Sequence, residues 1–266
     1  MPALLPDAKW GWARRAFASL AAGFLASLPG QAFAVWSLSG DVEHFRWAES
    51  TSPSVTETGP RFGVGGSWLP KKDAGWLLGW KGKVYWGSVD YDGATLFGNT
   101  PVQGTTRYTG AVNEFVVVFR PAAAAFERLD FVGTVGLDFW ERELSSVQRE
   151  DYSIVFARLG VDYNTRASQG WFAGAGVKKP LYTAEDAHLQ DIGFDQNPIL
   201  RPGKDPSLYA QLGYRFNPHW AALGYYDGYR FGQSASERVT SGGASFLVFQ
   251  PQSKMDLLGL RLVYSF

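Results

Sequence analysis

The feature that most constrains this chain is a repeated alternation of apolar and polar residues with a period of two. One face of an extended segment carries Trp76, Leu78, Trp80, Gly82, Val84 and Trp86. Lys81, Lys83 and Tyr85 occupy the other face. This period is typical of a β-strand whose two faces meet different surroundings. Because no run of 18 apolar residues follows residue 34, the alternation predicts strands and no transmembrane helix.

The alternating segments have the character of strands that cross a membrane. Many extend over ten residues or more, whereas the strands of a soluble sandwich usually have about five or six. Tryptophan and tyrosine lie near segment ends, as in the aromatic girdles of outer-membrane barrels. A sheet in lipid must close on itself, because every backbone polar group there needs a partner within the protein. We therefore expect an all-β fold, an antiparallel transmembrane up-and-down β-barrel, in preference to a soluble β-sandwich.

Turn-forming residues divide the chain into ten predicted strands. These strands lie near 36–48, 61–69, 75–90, 108–120, 127–143, 151–164, 170–180, 207–217, 219–235 and 254–266. Tight connections alternate with long ones at 49–60, 91–107, 144–150, 181–206 and 236–253. Ten strands return the C-terminus to the side from which the chain starts. Twelve strands remain possible if residues 243–250 form a strand of their own, and eight if two segments merge.

The first 34 residues have the pattern of an export signal. Lys9, Arg14 and Arg15 precede the apolar run 16–28, and Ala32 and Ala34 provide small residues at a cleavage site. The run is too short for a membrane-spanning helix, which needs about 20 residues. We therefore expect a signal peptide at 1–34, cleaved after about Ala34, and an outer-membrane β-barrel at 35–266.

Charge and cysteine content exclude several classes of function. The first 34 residues hold three of the 25 basic and one of the 25 acidic residues, so the mature chain is slightly acidic. Nucleic-acid binding would need a basic excess, and no nucleic-acid partner is expected. The chain has no cysteine, which excludes disulfides and thiolate metal sites. The sequence predicts no cofactor and no metal site.

The predicted inward positions carry both signs of charge. They comprise Asp41, Glu43, Glu114, Asp130 and Asp138 together with Lys81, Lys83, Arg158, Lys178, Arg215, Arg230 and Arg261. A selective pore would show a ring of one sign, whereas mixed charges in a narrow lumen form ion pairs. Side chains can largely fill a barrel of this size. The pattern favours a filled lumen over a general diffusion pore. A narrow solute channel is the remaining alternative.

Two acidic motifs fall at the same, extracellular, side of the predicted topology. Asp90 and Asp92 end the third strand, and Asp186 and His188 lie in the fourth long connection. The arrangement resembles that of the omptins, ten-stranded outer-membrane endopeptidases with an Asp-x-Asp and an Asp-x-His at these places. The resemblance implies that these four residues would be catalytic. The alternation, however, places Asp90 in phase with the lipid-facing residues, so a bulge would be needed to turn it inward, and solvated loop carboxylates are the alternative interpretation.

Three further motifs resemble a broad group of uncharacterised bacterial outer-membrane β-barrel proteins. They are residues 87–93 (GSVDYDG), 227–234 (DGYRFGQS) and 250–256 (QPQSKMD). The resemblance implies fold and location and no particular activity. Alternating apolar residues that end on Phe266 resemble the C-terminal signature by which the barrel-assembly machinery recognises its substrates. We therefore expect a small, non-enzymatic scaffold or surface-loop interaction protein among outer-membrane lipid and lipopolysaccharide, with an omptin-like endopeptidase and a narrow channel as alternatives.

Overall fold

The structure is a computed structural model in which residues 34–70, 75–95 and 98–266 are described. The predicted signal peptide, except for Ala34, lies outside these residues. The described strands are β1 Ala34–Glu49, β2 Val55–Pro70, β3 Gly75–Thr95, β4 Gly98–Arg120, β5 Leu129–Glu143, β6 Arg149–Tyr163, β7 Gly170–Asp186, β8 Ile199–Leu200, β9 Ser207–Arg215, β10 Trp220–Phe231, β11 Glu237–Ser241, β12 Ala244–Val248 and β13 Ser253–Ser265. No helix among the described residues is long and apolar enough to cross a bilayer.

Ten of these strands form one closed antiparallel barrel. Following the wall, the order is β1 to β7 in sequence, then β9, β10 and β13. The ring closes where β1 pairs with β13, from Ser37 opposite Ser265 to Glu49 opposite Ser253. The predicted all-β, ten-stranded, up-and-down barrel is therefore confirmed. Closure leaves the wall without a free edge, as a sheet in lipid requires.

The two ends of the barrel differ in their connections. The end at which β1 begins and β13 ends carries the connections 121–128, 164–169 and 216–219, and we call it the turn end. The opposite end, here called the loop end, carries the long segments 187–206 and 232–252. In the turn after β6, Asn164 adopts a positive φ of 58°, and its side-chain amide donates to the carbonyl of Trp171 at 2.6 Å. Asparagine tolerates this left-handed conformation, which explains the tight turn predicted there.

Several predicted connections are in fact extensions of the wall. The predicted loop 91–107 is wrong, because β3 continues to Thr95 and β4 starts at Gly98. β2 starts within the predicted loop 49–60, and β7 continues to Asp186. Residues 243–250 do contain a strand, β12, but it pairs with β11 in a separate two-stranded sheet, so twelve wall strands are not formed. The predicted strand boundaries were based on alternating apolar residues. The ends of these strands are largely polar, so the sequence pattern did not show that the strands continue.

The outer face of the wall is apolar. Large side chains on it are well exposed, among them Trp76 at 66%, Leu159 at 72% and Leu260 at 71%. Inward residues of the wall are buried, including charged ones such as Glu43 on β1 and Asp138 on β5. This distribution is the reverse of that of a soluble protein and is the distribution expected of a barrel in lipid.

The charged inward positions follow the predicted phase with one exception. Arg230 faces outward, where it forms an ion pair with Asp256 and donates to the Tyr226 hydroxyl at 2.8 Å. Its neighbours Tyr229 and Phe231 are the inward residues of β10, and both are 1% exposed. The prediction for Arg230 was wrong, because the inward-facing positions of this strand are occupied by the two aromatic residues and not by the arginine.

Candidate functional site

The structure places the predicted Asp-x-Asp pair on the outside of the wall. Asp90 and Asp92 are exposed. Val89, the residue before Asp90, is 1% exposed and faces the lumen. The register of β3 with β4 is regular from Gly75 to Ala94. No bulge therefore turns either carboxylate inward, and neither faces the mouth of the barrel.

The Asp-x-His pair has a different surrounding, at the loop end. His188 is buried, and its Nε2 lies 2.9 Å from Oδ2 of Asp151 on β6. The backbone N–H of His188 donates to Oδ1 of Asp186 at 3.1 Å. The hydrogen bond to Asp151 raises the pKa of His188 above its ordinary value. This contact, here called the His188 latch, ties the start of the segment 187–206 to the wall.

The four residues of the predicted omptin-like set are therefore not brought together. β3 and β7 are separated by three strands on one side of the ring and by five on the other, and the β3 pair points away from the lumen. The sequence analysis missed Asp151, which is opposite Asp186 in the register of β6 and β7. The available signal was that Asp151 begins the predicted strand 151–164, which precedes the predicted strand 170–180 and would pair with it in a hairpin.

An aromatic core crosses the lumen in its loop half. We call it the plug, and it consists of Phe45, Trp47, Tyr85, Val89, Tyr108, Trp140, Tyr152, Ile154, Phe156, Tyr229, Phe231, Met255 and Leu257. Trp140 stacks on Tyr152 with ring centroids 4.8 Å apart, and Trp47 meets Tyr152 edge-on at 5.8 Å. Seven of the ten wall strands contribute to the plug, and Arg61 of β2 and Lys178 of β7 pack against its rings, so the plug spans the lumen between these strands.

A buried carboxylate cluster surrounds one arginine beside the plug. The guanidinium of Arg142 bonds to Glu57 at 2.8 Å, Glu150 at 2.7 Å and Glu49 at 3.2 Å. Tyr108 donates to the same Glu57 carboxylate. Ion pairs this well buried leave an uncompensated charge when one partner is removed. The sequence analysis did not select Arg142, although Asp138, Trp140 and Arg142 follow the inward phase of β5.

Further ion pairs join the strands at the level where the plug ends. The Glu43 carboxylate accepts from Arg61 at 2.9 Å and from Lys83 and Tyr225. Asp227 on β10 accepts from Arg158 on β6 at 2.6 Å and from Lys178 on β7 at 3.1 Å. These contacts confirm the inward placement of both signs of charge. They also show why no ring of one sign forms.

The turn half of the lumen holds a cavity of about 700 Å³. It extends from plug residues Tyr85, Met255 and Leu257 to Ala167 and His219 at the turn end. Side chains therefore fill the loop half of the lumen, and the turn half departs from the expectation of a largely filled interior. No group of three or more histidine, aspartate or glutamate residues within the described part of the chain is arranged to hold a metal ion.

The segments at the loop end pack into a small unit of their own. Leu189, Leu200, Val239 and Val248 form a buried cluster between the segment 187–206 and the β11–β12 hairpin. The backbone N–H of Asp195 donates to the carbonyl of Thr240 at 2.8 Å, and the Thr240 hydroxyl donates to the Asp195 carboxylate at 2.6 Å. We call this unit the cap.

Comparison with known proteins relates the chain to outer-membrane barrels by fold. No protein-family model matches the sequence, and no curated protein matches it. The outer membrane protease OmpT from Escherichia coli has a TM-score of 0.50 at 9% identity, over 88% of this chain and 97% of the protease. The transport unit of the autotransporter AIDA-I from Escherichia coli has a TM-score of 0.44 at 10% identity, over 96% of this chain and 98% of that one. At such identities the likeness concerns the fold, which is that of bacterial outer-membrane β-barrels.

Proposed function

We propose that this protein is a closed, non-conducting outer-membrane barrel that serves as a non-enzymatic scaffold for its cap. The observation that carries the proposal is the plug, a buried aromatic core to which seven of the ten wall strands contribute. A water-filled pore needs a continuous polar passage. Residues packed as densely as a protein core leave no such passage in the loop half.

The cap supports the second part of the proposal. A buried cluster and hydrogen bonds to Asp195 hold it together, and the His188 latch ties it to the wall. Functional loops of membrane barrels are commonly the long extracellular ones, because a rigid wall positions them. A folded cap offers a partner protein or surface molecule a defined shape at the loop end.

The surroundings of the barrel follow from its outer face. The apolar band fits an outer-membrane location, and the last strand, which ends before Phe266, fits recognition by the barrel-assembly machinery. Arg46 and Lys254 are exposed on the outward faces of the adjacent strands β1 and β13, towards the loop end. Basic side chains there suit the phosphates of lipopolysaccharide, which we propose as a lipid partner.

Planar-bilayer recording tests the closed lumen. We expect wild-type protein to give no steady conductance, because the plug blocks the passage. The double variant Trp47→Ala with Phe231→Ala, which removes two packed rings of the plug, should introduce conductance steps. Trp76→Ala, on the outer face, is the matched control and should stay silent. Steady conduction by the wild-type protein would overturn the scaffold in favour of a narrow channel.

Peptide hydrolysis tests the non-enzymatic part. Because Asp90 and Asp92 face outward, we expect refolded protein supplied with lipopolysaccharide to leave peptides with basic sites intact. Cleavage that disappears in Asp92→Ala would instead establish the omptin-like endopeptidase. The His188→Ala variant separates the two motifs, since a working set needs both.

A further inference from the structure

The cavity in the turn half of the lumen has no role in the proposed scaffold. The plug closes its inner end, and its walls come from both sides of the barrel. A cavity of about 700 Å³ is within the size range of sites that hold small molecules, roughly 300–1,000 Å³. Its lining chemistry indicates which kind of molecule it would hold.

The packing of the wall keeps this cavity open. The ring of Tyr225 lies so close to Gly259 that a Cβ there would meet its Cζ at 2.4 Å, and the Tyr209 hydroxyl would meet a Cβ on Gly160 at 2.2 Å. Both rings therefore lie against glycine backbone instead of projecting across the lumen. The space is a consequence of side-chain placement on two strands, and residues with a Cβ at these glycines would push the rings into it.

Basic groups in the cavity wall have unused hydrogen-bonding capacity. Arg61 Nη1 and Arg158 Nε are buried without a partner among the described residues. Lys81 is exposed and lines the cavity, and the described part of the chain shows no ion pair between it and a carboxylate, although it is close enough to Asp162 to act on that carboxylate electrostatically. Eight basic and five acidic side chains line the cavity, and Asp41 and Glu43, just outside this lining, pair with three of the basic ones. The two signs are therefore nearly balanced, and the preference for an anion rests on Lys81.

The acidic groups, in contrast, are mostly engaged. Asp227 accepts from Arg158 at 2.6 Å, and Glu114 forms an ion pair with the same arginine at 3.4 Å. Asp130 faces Arg120 at 3.3 Å. The Asp138 carboxylate accepts from Tyr85 and Tyr229, at 2.8 and 2.9 Å. A cationic ligand would have to compete with these partners at most of the acidic groups. Asp162 accepts from Gln211 at 3.3 Å, and Asp130 Oδ1 is buried without a hydrogen bond among the described residues. An anion would find the ammonium group of Lys81, for which the described part of the chain shows no ion pair.

The remaining lining is apolar and lies in two opposite arcs. Val116, Val118 and Val132 form one arc on β4 and β5. Phe172 and Leu223 form the other on β7 and β10. Apolar walls with a few placed polar groups are the usual composition of a small-molecule site, since the apolar part supplies affinity and the polar groups fix orientation.

We propose that this cavity binds a small organic anion with a compact apolar or aromatic body, its anionic group beside Lys81. The apolar arcs would contact the body of the ligand. The guanidinium groups of Arg61 and Arg158 lie in the cavity wall, and their buried, unpartnered nitrogens would gain an acceptor only if the side chains moved towards the ligand. The proposal does not depend on the scaffold role, because Lys81 and the two apolar arcs lie outside the plug and would line the pocket whether the plug is closed or open.

Ligand-observed fluorine NMR with the purified barrel in lipid nanodiscs tests this site. The probe is 4-(trifluoromethyl)benzoate, and 4-(trifluoromethyl)benzylamine is the cation of matching shape. We expect saturable binding of the benzoate and at least tenfold weaker binding of the amine. Lys81→Gln should weaken the benzoate at least tenfold. Ser39→Trp, which fills the cavity from its β1 wall, should abolish binding.

Lys254→Gln is the matched control, because it removes the same charge from the outer face. It should bind the benzoate as the wild-type protein does. Equal binding of amine and benzoate, no binding of the benzoate by wild-type protein, or benzoate binding that survives Lys81→Gln unchanged would each overturn the proposal. Should Ser39→Trp fail to fold, the Lys81→Gln comparison still decides the question. Bilayer conductance of the same preparation reports separately on the scaffold proposal.

Discussion

The imidazole of His188 lies 2.9 Å from the Asp151 carboxylate and so connects the first residues of the cap segment to β6. His188 adopts a left-handed backbone conformation with a φ of 47°, which few residue types with a side chain adopt freely. Asp186, two residues before His188, and Asp191, three residues after it, also lie near the ring. The nearby basic group is Arg149. Three carboxylates around one imidazole favour its charged form.

The His188 latch should make the cap pH-dependent. The hydrogen bond to Asp151 raises the pKa of His188 above 6.5. A raised pKa in the folded state means that the stabilisation is complete below the unfolded-state pKa and is lost as the pH rises through the folded-state value. We expect hydrogen exchange in residues 189–200, corrected for intrinsic rates, to become several-fold faster between pH 6 and pH 8.5.

The His188→Gln variant should remove most of this pH dependence, because glutamine keeps hydrogen-bonding capacity without a titrating charge. His44→Gln provides the control, since His44 is exposed on the outer face of β1. Exchange that slows as the pH rises would contradict the sign of the effect. A dependence that persists in His188→Gln would assign it to another group.

Arg142 should be the most costly basic residue to remove from the loop half of the lumen. In Arg142→Met the carboxylates of Glu49, Glu57 and Glu150 would stay buried without their common cation. Breaking a buried ion pair in this way costs about 3–5 kcal/mol. Urea unfolding in lipid vesicles measures the loss.

Arg107→Met makes the same substitution in an exposed pair. The Arg107 side chain is 69% exposed and lies 3.1 Å from Glu143, and exposed pairs contribute about 0–1 kcal/mol. The unfolding free energy of Arg107→Met should therefore stay close to that of the wild-type protein. Similar losses in both variants would show that Arg142 acts through general charge and not through the buried cluster.

Strand number and facing were predictable from the sequence because the barrel wall separates lipid from lumen along its whole length. In β3 and β13, each apolar residue at every second position independently indicates the outward face of the strand. A wrong assignment at one position therefore does not change the assignment of the others. The errors lie where that contrast fades. The ends of β3 and β4 where the chain forms loop-end extensions are polar, so the alternation of apolar residues did not mark them as strand. Arg230 was assigned to the wrong face because the aromatic residues on either side of it face inward.

The contents of the lumen were less predictable, because they depend on contacts across the ring. Glu57 and Arg142 are 85 positions apart in the chain and adjacent in space, and period-two alternation states only that both face inward. The cavity depends on which rings lie against glycines such as Gly259, and strand phase does not specify this. The alternation did place Asp90 on the lipid-facing side, against the omptin-like assignment.

Cysteine labelling tests the outward direction of the Asp-x-Asp pair. The chain has no cysteine, so a single introduced thiol is the only site of reaction. On the outer face of β3 the large apolar residues end at Trp86, and polar residues follow towards the loop end. Asp90→Cys should therefore be open to water and react quickly with a membrane-impermeant maleimide in folded protein, and Val89→Cys, at a position that is 1% exposed, should react at least tenfold more slowly. The reverse order of rates would place Asp90 in the lumen and reopen the predicted catalytic set.

The packing of the plug against the wall predicts opposite effects of one substitution at two glycines of β5. A Cβ on Gly136 would lie 2.3 Å from Cζ of Phe156, whereas a Cβ on Gly133 would meet only Leu159 Cδ2, at 3.7 Å. Gly136→Ala must displace a fully buried ring of the plug, and such overpacking costs about 1–3 kcal/mol. Gly133→Ala should be neutral or stabilising by up to about 1 kcal/mol, because alanine loses less conformational freedom than glycine in a strand. Urea unfolding of both variants in vesicles decides the matter, and equal effects would mean that Phe156 does not lie against the wall at Gly136.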